Sequence, residues 1–379
     1  MQFIDLAAQR ARIGARMELA VARVLTQGRY ILGPEVQEFE ARIADYLGVK
    51  HAIACANGTD ALMIPLLARE IGPGDAVFVP SFTFAATAEV VALTGASPVF
   101  VDIRQDTYNL DPVRLEEAII ATKARGELNP KAVIPVDLFG MPADYPAIEA
   151  ICKRHGLFVI EDAAQSIGGS TPAGACGSFG HVAATSFYPA KPLGCYGDGG
   201  AMFTNDDVLM EKLRSYAFHG KGDSQYDNIH VGINSRLDTI QAAILLEKLA
   251  IFDEERESRE RIAAYYCDNL EGYVRVPHRS ADMQCAWAQF AIETVDRDAL
   301  KRHLAERDIP SVVYYLKPLH RQPAYAGYPT GPGELTVTEK LPNTILCLPM
   351  HPYLKRADQD RIIEEIIAFV SSRQSVAAE

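Results

Sequence analysis

Between residues 51 and 205 the chain alternates short, almost unbroken apolar runs with amphipathic stretches of helical length. That order constrains the fold more than any other feature. The apolar runs are "HAIACA" (51–56), "AVFVP" (76–80), "SPVFVDI" (97–103), "KAVIPVDLFG" (131–140), "LFVIED" (157–162), "HVAATSF" (181–187) and "GAMFTN" (200–205). Between several of them lie helical patterns such as "TDALMIPLLAREIG", "FAATAEVVALTG", "DPVRLEEAIIATKA" and "YPAIEAICKRHG". A strand that is apolar at nearly every position must be covered on both faces, which is the situation of a parallel sheet between helices. The reading is an α/β fold with a large, mixed but mostly parallel sheet flanked by helices. In such sheets ligands gather where the strands end.

From about residue 236 the texture changes. "RLDTIQAAILLEKLAIFDEERESRERIAAYYCDNL" reads as one long helical stretch whose apolar stripe fades into charges, bridging to a smaller α+β C-terminal unit. Residues 1–245 are therefore expected to form the large domain, with an N-terminal arm, and 246–379 the small one. The acidic balance (37 basic against 49 acidic residues, net charge −12) argues against nucleic acid or anionic membrane as a partner. No segment reaches the roughly 18 apolar residues of a membrane span. Seven cysteines without CxxC spacing read as reduced thiols and predict a cytoplasmic protein with no structural metal.

Three strand ends carry chemistry. After the first run, Asn57-Gly58-Thr59-Asp60 opens a helix. Free N–H groups and a glycine there suit a phosphate, although the same residues are ordinary helix caps. At the end of "LFVIED", Asp162 on a buried strand must either pair in a structural salt bridge or face a functional cation. Lys191, in "SFYPAKPLGCYGDGGA", lies between Pro189 and Pro192 and ahead of a glycine-rich turn. It is either a surface lysine or, if held and desolvated, a nucleophilic amine able to form a Schiff base. A phosphate seat, an acid for a pyridinium and an imine-forming lysine together make a site for pyridoxal 5′-phosphate (PLP).

On "FIDLAAQ", "GRYILGPEVQEFE", "CANGTDAL", "EDAAQS", "KPLGCYGDGGA", "VGINSRLDTIQAAIL" and "LPMHPYL" the sequence resembles the DegT/DnrJ/EryC1/StrS sugar aminotransferases over nearly its whole length. The resemblance implies fold type I, the aspartate aminotransferase-like architecture of PLP enzymes. It also implies roles. Lys191 is the covalent anchor of PLP, Asp162 bonds the pyridine nitrogen and Gln165 the ring hydroxyl. Gly58, Thr59 and Ser186 take the phosphate, Phe84 of "PSFTF" lies against the ring, and Asn234 reaches the phosphate of a neighbouring subunit in a homodimer. L-glutamate is the implied amino donor. The motifs are most like a subgroup whose acceptor is UDP-2-acetamido-2-deoxy-3-oxo-D-glucuronate, used for surface polysaccharide. An acidic chain needs local groups for such an anion, and His219, Arg236, Tyr314, Tyr315, Lys317 and His320 are the candidates. A dTDP- or UDP-linked 6-deoxy keto-sugar is the alternative acceptor. A PLP-binding regulatory protein without turnover is the alternative of another class.

Overall fold

The computed structural model describes residues 1–224 and 226–378. Its strands are β1 (His51–Cys55), β2 (Asp75–Pro80), β3 (Ser97–Val101), β4 (Asn129–Val133), β5 (Phe158–Asp162), β6 (Ser170–Thr171), β7 (Gly174–Ala175), β8 (Val182–Ser186), β9 (Gly200–Thr204), β10 (Phe290–Glu293) and β11 (Ile345–Leu348). The helices are α1 (Leu6–Gln27), α2 (Pro34–Leu47), α3 (Gly58–Ala68), α4 (Ala86–Leu93), α5 (Pro112–Arg125) and α6 (Tyr145–His155). They continue with α7 (Asp207–Ala217), α8 (Thr239–Leu249), α9 (Phe252–Leu270), α10 (Arg297–Ala305), α11 (Thr336–Lys340) and α12 (Arg356–Ala378). Among the described residues no helix is long and apolar enough to cross a membrane.

Seven strands form one sheet in the order β1-β9-β8-β5-β4-β2-β3. The pairs from β8 to β3 are parallel, while β9 runs antiparallel to both its neighbours. Two reversals restore direction, so β1 points the same way as β8. Six of the seven strands are buried at nearly every position, as their unbroken apolar character requires, while β4 is buried only at Ala132 and Val133. In β2, Val77 and Val79 pack with Leu62, Leu66 and Val90 on one side. Ala76 and Phe78 pack with Leu115, Ile119 and Ile148 on the other. Each such large side chain contributes roughly 1.5–3 kcal/mol on burial.

Three expectations shift in detail. The run 131–140 is a strand only to Val133; Pro135 has no N–H to give, and the chain turns into a short 3₁₀ segment, Leu138–Gly140, with Phe139 at φ 59°. In 284–294 only Phe290–Glu293 pairs with β11, because Ala286 and Gln289 donate their N–H groups to Gly140 and Phe139 instead. The single long helix is two. α8 is buried almost all round, whereas α9 buries one stripe (Phe252, Glu255, Arg259, Ile262, Tyr266), so the chain changes direction at Ala250–Ile251 to serve a different core. Residue 245, the expected division, falls inside α8. The C-terminal core is built from α9, α10, α12, β10 and β11.

At the carboxyl edge of the sheet Gly200 is paired with both Cys55 and Ser186. A Cβ on Gly200 would overlap the Asn57 carbonyl. Gly200→Ala is therefore expected to push β1 away from β9 and cost about 2–3 kcal/mol. A urea midpoint equal to wild type would show that the strands have room to give.

Candidate active site

The shared direction of β1, β2, β5 and β8 brings Gly58, Phe84, Asp162 and Ser186 to one edge of the sheet. Asp162 ends β5 almost fully buried. Its Oδ2 accepts from the Thr87 hydroxyl at 3.0 Å and its Oδ1 from the Ala164 N–H at 3.2 Å. Those two bonds leave lone pairs for a further donor. Burial raises its pKa, and Lys191 is among the groups that pull it back. Thr87, at the start of α4, is a site residue that the sequence reading missed; a threonine four positions after another in "TFAAT" carries no signal of its own.

Lys191 follows β8 on a turn closed by its own N–H to the Tyr188 carbonyl at 2.9 Å. Its ammonium has no hydrogen-bond or ion-pair partner among the described residues. Burial drives its pKa down, and Asp162 opposes the shift. A lysine in this state spends more time as the neutral, nucleophilic amine.

Gln165 has a fixed orientation, since its Oε1 accepts from the Phe139 N–H at 2.6 Å. The Nε2 is thereby left as the outward donor, 3.5 Å from the Tyr315 hydroxyl. The 3₁₀ segment that displaced the end of the expected strand thus supplies the bond that aims Gln165.

Gly58 is the first residue of α3, whose N-cap Asn57 accepts from the Asp60 N–H at 2.8 Å. A Cβ on Gly58 would lie 2.6 Å from the Ser186 Cβ, so only glycine lets helix start and strand end meet. Next to this cradle the Thr59 hydroxyl makes no bond among the described residues. Phe84 is 59% exposed, an unusual amount for a phenylalanine beside a buried strand end. An uncovered ring, a free amine, a buried carboxylate and an open helix N-terminus fit the ring, aldehyde, pyridine nitrogen and phosphate of PLP.

The substrate-side expectations divide into two groups. His219 is exposed and donates its backbone N–H to Ile233, while Phe218 bridges Asn234. Between Asn234 and Arg236, buried Ser235 accepts from the Ala56 N–H at 3.0 Å. This bond ties the segment that carries Asn234 and Arg236 to the end of β1, two residues before Gly58. Arg236 is half-buried without a side-chain partner among the described residues. On the other wall Leu319 donates to the Ser81 carbonyl, Tyr315 lies edge-on to Phe82 at 5.7 Å, Tyr314 is half-buried and Lys317 is exposed. His320 does not fit its expected role. Its Nδ1 lies 2.6 Å from Ser81 and its Nε2 2.7 Å from Glu339, leaving no ring nitrogen for a ligand. A cleft of about 910 Å³ lies at the opposite edge of the sheet, lined in part by Arg69, Lys153, Phe158 and His181, and shares no residue with this site.

Comparison with known proteins agrees with the geometry. The sequence model of the DegT/DnrJ/EryC1/StrS aminotransferase family matches residues 11–367. The chain is 48% identical over 358 residues to a UDP-2-acetamido-2-deoxy-3-oxo-D-glucuronate aminotransferase of Pseudomonas aeruginosa, covering 94% of this chain and 97% of that protein. It is 43% identical to a pleiotropic regulatory protein of Geobacillus stearothermophilus, over 97% of each. The crystal structure of a DegT DnrJ EryC1 StrS aminotransferase from Brucella abortus superposes with a TM-score of 0.97 at 64% identity, covering 97% of this chain and 99% of that one.

Borohydride reduction of the PLP-loaded protein is expected to add phosphopyridoxyl mass to the peptide containing Lys191 and to no other. Lys191→Ala is expected to abolish turnover while keeping the circular dichroism of the fold. Peptide mapping that finds the label on another lysine overturns the assignment.

Proposed function

Because the chain belongs to the DegT/DnrJ/EryC1/StrS aminotransferase family, a group of PLP-dependent enzymes acting on nucleotide-linked sugars, we propose that it moves an amino group from L-glutamate to the 3-keto carbon of UDP-2-acetamido-2-deoxy-3-oxo-D-glucuronate. The observation that carries the chemistry is the half-buried, unpartnered Lys191 amine near a buried Asp162 at the same sheet edge. When bound, PLP supplies the electron sink that makes a Cα–H proton removable. The chain's residues do the rest. Asp162 holds a proton on the pyridine nitrogen, and Thr87 and Ala164 keep its carboxylate aimed. With PLP bound, Lys191 would be the residue to anchor it, and its amine would serve as the general base and acid that moves the substrate's Cα proton. Gly58, Thr59 and Ser186 seat the phosphate, Gln165 donates to the ring hydroxyl and Phe84 covers the ring. Retention of both Lys191 and Asp162 supports turnover over a purely regulatory role.

The acceptor is assigned by similarity to the Pseudomonas aeruginosa enzyme and supported by Arg236, a half-buried cation without a side-chain partner among the described residues and so free to meet a uronate carboxylate. The product is a 3-amino sugar for lipopolysaccharide or another surface polysaccharide. We place the enzyme in the cytoplasm, an assignment supported by seven buried, unpaired cysteines. It acts as a homodimer with shared sites. Exposed Tyr226, Ile229 and Val231, on the segment leading to Asn234, support such a partner surface.

Asp162→Asn is expected to bind PLP yet lose one or more orders of magnitude in kcat, each tenfold being ~1.4 kcal/mol of transition-state stabilisation. A near-native kcat removes Asp162 from its role. Assayed in parallel with the UDP-3-oxo-uronate and dTDP-linked 6-deoxy keto-sugars, the wild type should prefer the uronate. Arg236→Met should raise KM for the uronate about tenfold or more and leave the 6-deoxy sugars nearly unchanged. Preference for a 6-deoxy sugar overturns the acceptor and leaves the PLP chemistry standing.

A further inference from the structure

Lys248, on α8, is a buried lysine only 1% exposed. Among the described residues it has no ion-pair partner. Its ammonium donates to the Gly194 carbonyl at 2.5 Å and sits 4.2 Å from the centre of the Tyr196 ring. Burial pushes its pKa down to about 8, with Glu255 of α9 and the Cys195 thiol opposing the shift. A buried ammonium without a carboxylate is costly, and a methionine or leucine would fill the space more cheaply. Both of its contacts are to the segment that carries Lys191.

That segment is folded back on itself. Cys195 donates its N–H to the Phe187 carbonyl at 2.8 Å, and Lys191 donates to Tyr188 at 2.9 Å. Gly194 packs so closely on the preceding turn that a Cβ there would lie 2.5 Å from the Tyr188 carbonyl oxygen. Gly194 therefore cannot shift without moving the turn that places Lys191. Two helical turns before Lys248, on the same face of α8, Gln241 accepts from the Tyr196 N–H at 2.9 Å.

We propose that Lys248 is a positioning residue for Lys191: through the Gly194 carbonyl and the Tyr196 ring it fastens the lysine turn to α8. The neutral alternatives leave the Gly194 carbonyl without its donor and the Tyr196 ring without its cation. The inference rests on Lys191 as the cofactor's anchor, which borohydride mapping tests separately.

The test compares wild type, Lys248→Met and Lys248→Arg as PLP-loaded full-length proteins, by amide hydrogen exchange and steady-state kinetics. In Lys248→Met, exchange at Lys191 and Cys195 should quicken about tenfold while β5 keeps its protection, since only the local clamp is lost. The kcat should fall about tenfold with KM for glutamate changed less than about twofold, the pattern of misplaced catalytic geometry. Lys248→Arg keeps a charged donor and should recover most of both. Lys248→Gln, a donor without charge, should fall between them and stands in if the methionine variant does not fold. Unchanged exchange at Lys191 and Cys195, or a loss of protection spread evenly over the sheet, overturns the proposal. A phosphopyridoxyl label away from Lys191 overturns the underlying assignment instead.

Discussion

The site depends on a charge that the sheet buries and does not neutralise. Asp162 sits where solvent cannot stabilise it, with two hydrogen bonds and one nearby cation to keep it in place. Lys191 is desolvated in turn, with Asp162 as the opposing charge. Each group makes the other tolerable, and neither is fully satisfied. A ligand bringing both an electrophilic carbon and a protonatable nitrogen completes both groups at once. Incomplete satisfaction of buried polar groups is what a binding site looks like before its ligand arrives.

Behind this pair the sheet carries a second acidic arrangement facing the other way. Glu161, next to Asp162 on β5, accepts from the Gly177 and Phe179 N–H groups at 2.6 and 2.7 Å. It lies against Asp137, which accepts from Ala143, Tyr145 and Ser166. Burial raises the pKa of both carboxyl groups, Glu161 well above its usual range with Asp137 adding to its shift. Alternation along β5 thus separates two adjacent acids into different tasks. Asp162 is left open to a ligand, and Glu161 is closed off by backbone donors that fix the connection to β8.

Much of this was legible in the residues. Unbroken apolar runs marked six of the seven strands of the large sheet to within a residue or two, because burial on both faces leaves a strong imprint, while the run at β4 overshot into the turn after Val133. Gly58, Asp162 and Lys191 drew notice at strand ends only in conjunction, each alone having an ordinary structural reading, and Ser186 entered through the family resemblance. Residues that act by contact alone did not stand out. Thr87 and Phe139 matter through one hydrogen bond each, made to groups distant in sequence. Lys248 looks in the sequence like any charge on a helix; only the fold reveals that it points inward. The N-terminal helices had readable signals, with Asp5 capping α1, Gly28 ending it and Pro34 opening α2, but their role depends on packing against α8. His320 shows the opposite error, since a histidine near basic residues suggests an anion site until Ser81 and Glu339 are seen to occupy it.

The position of β9 between β1 and β8 also sets an order of events during synthesis. β1 has no other neighbour in the sheet, so it has no edge to join until residues 200–204 have left the ribosome. Gly58 and Ser186 touch directly, on the two sides of the strand's first residue, Gly200. Lys191 therefore leaves the ribosome before β9 can join β1 to β8. The β1–β9 pairing spans about 150 residues of sequence, the kind of long-range contact that slows folding.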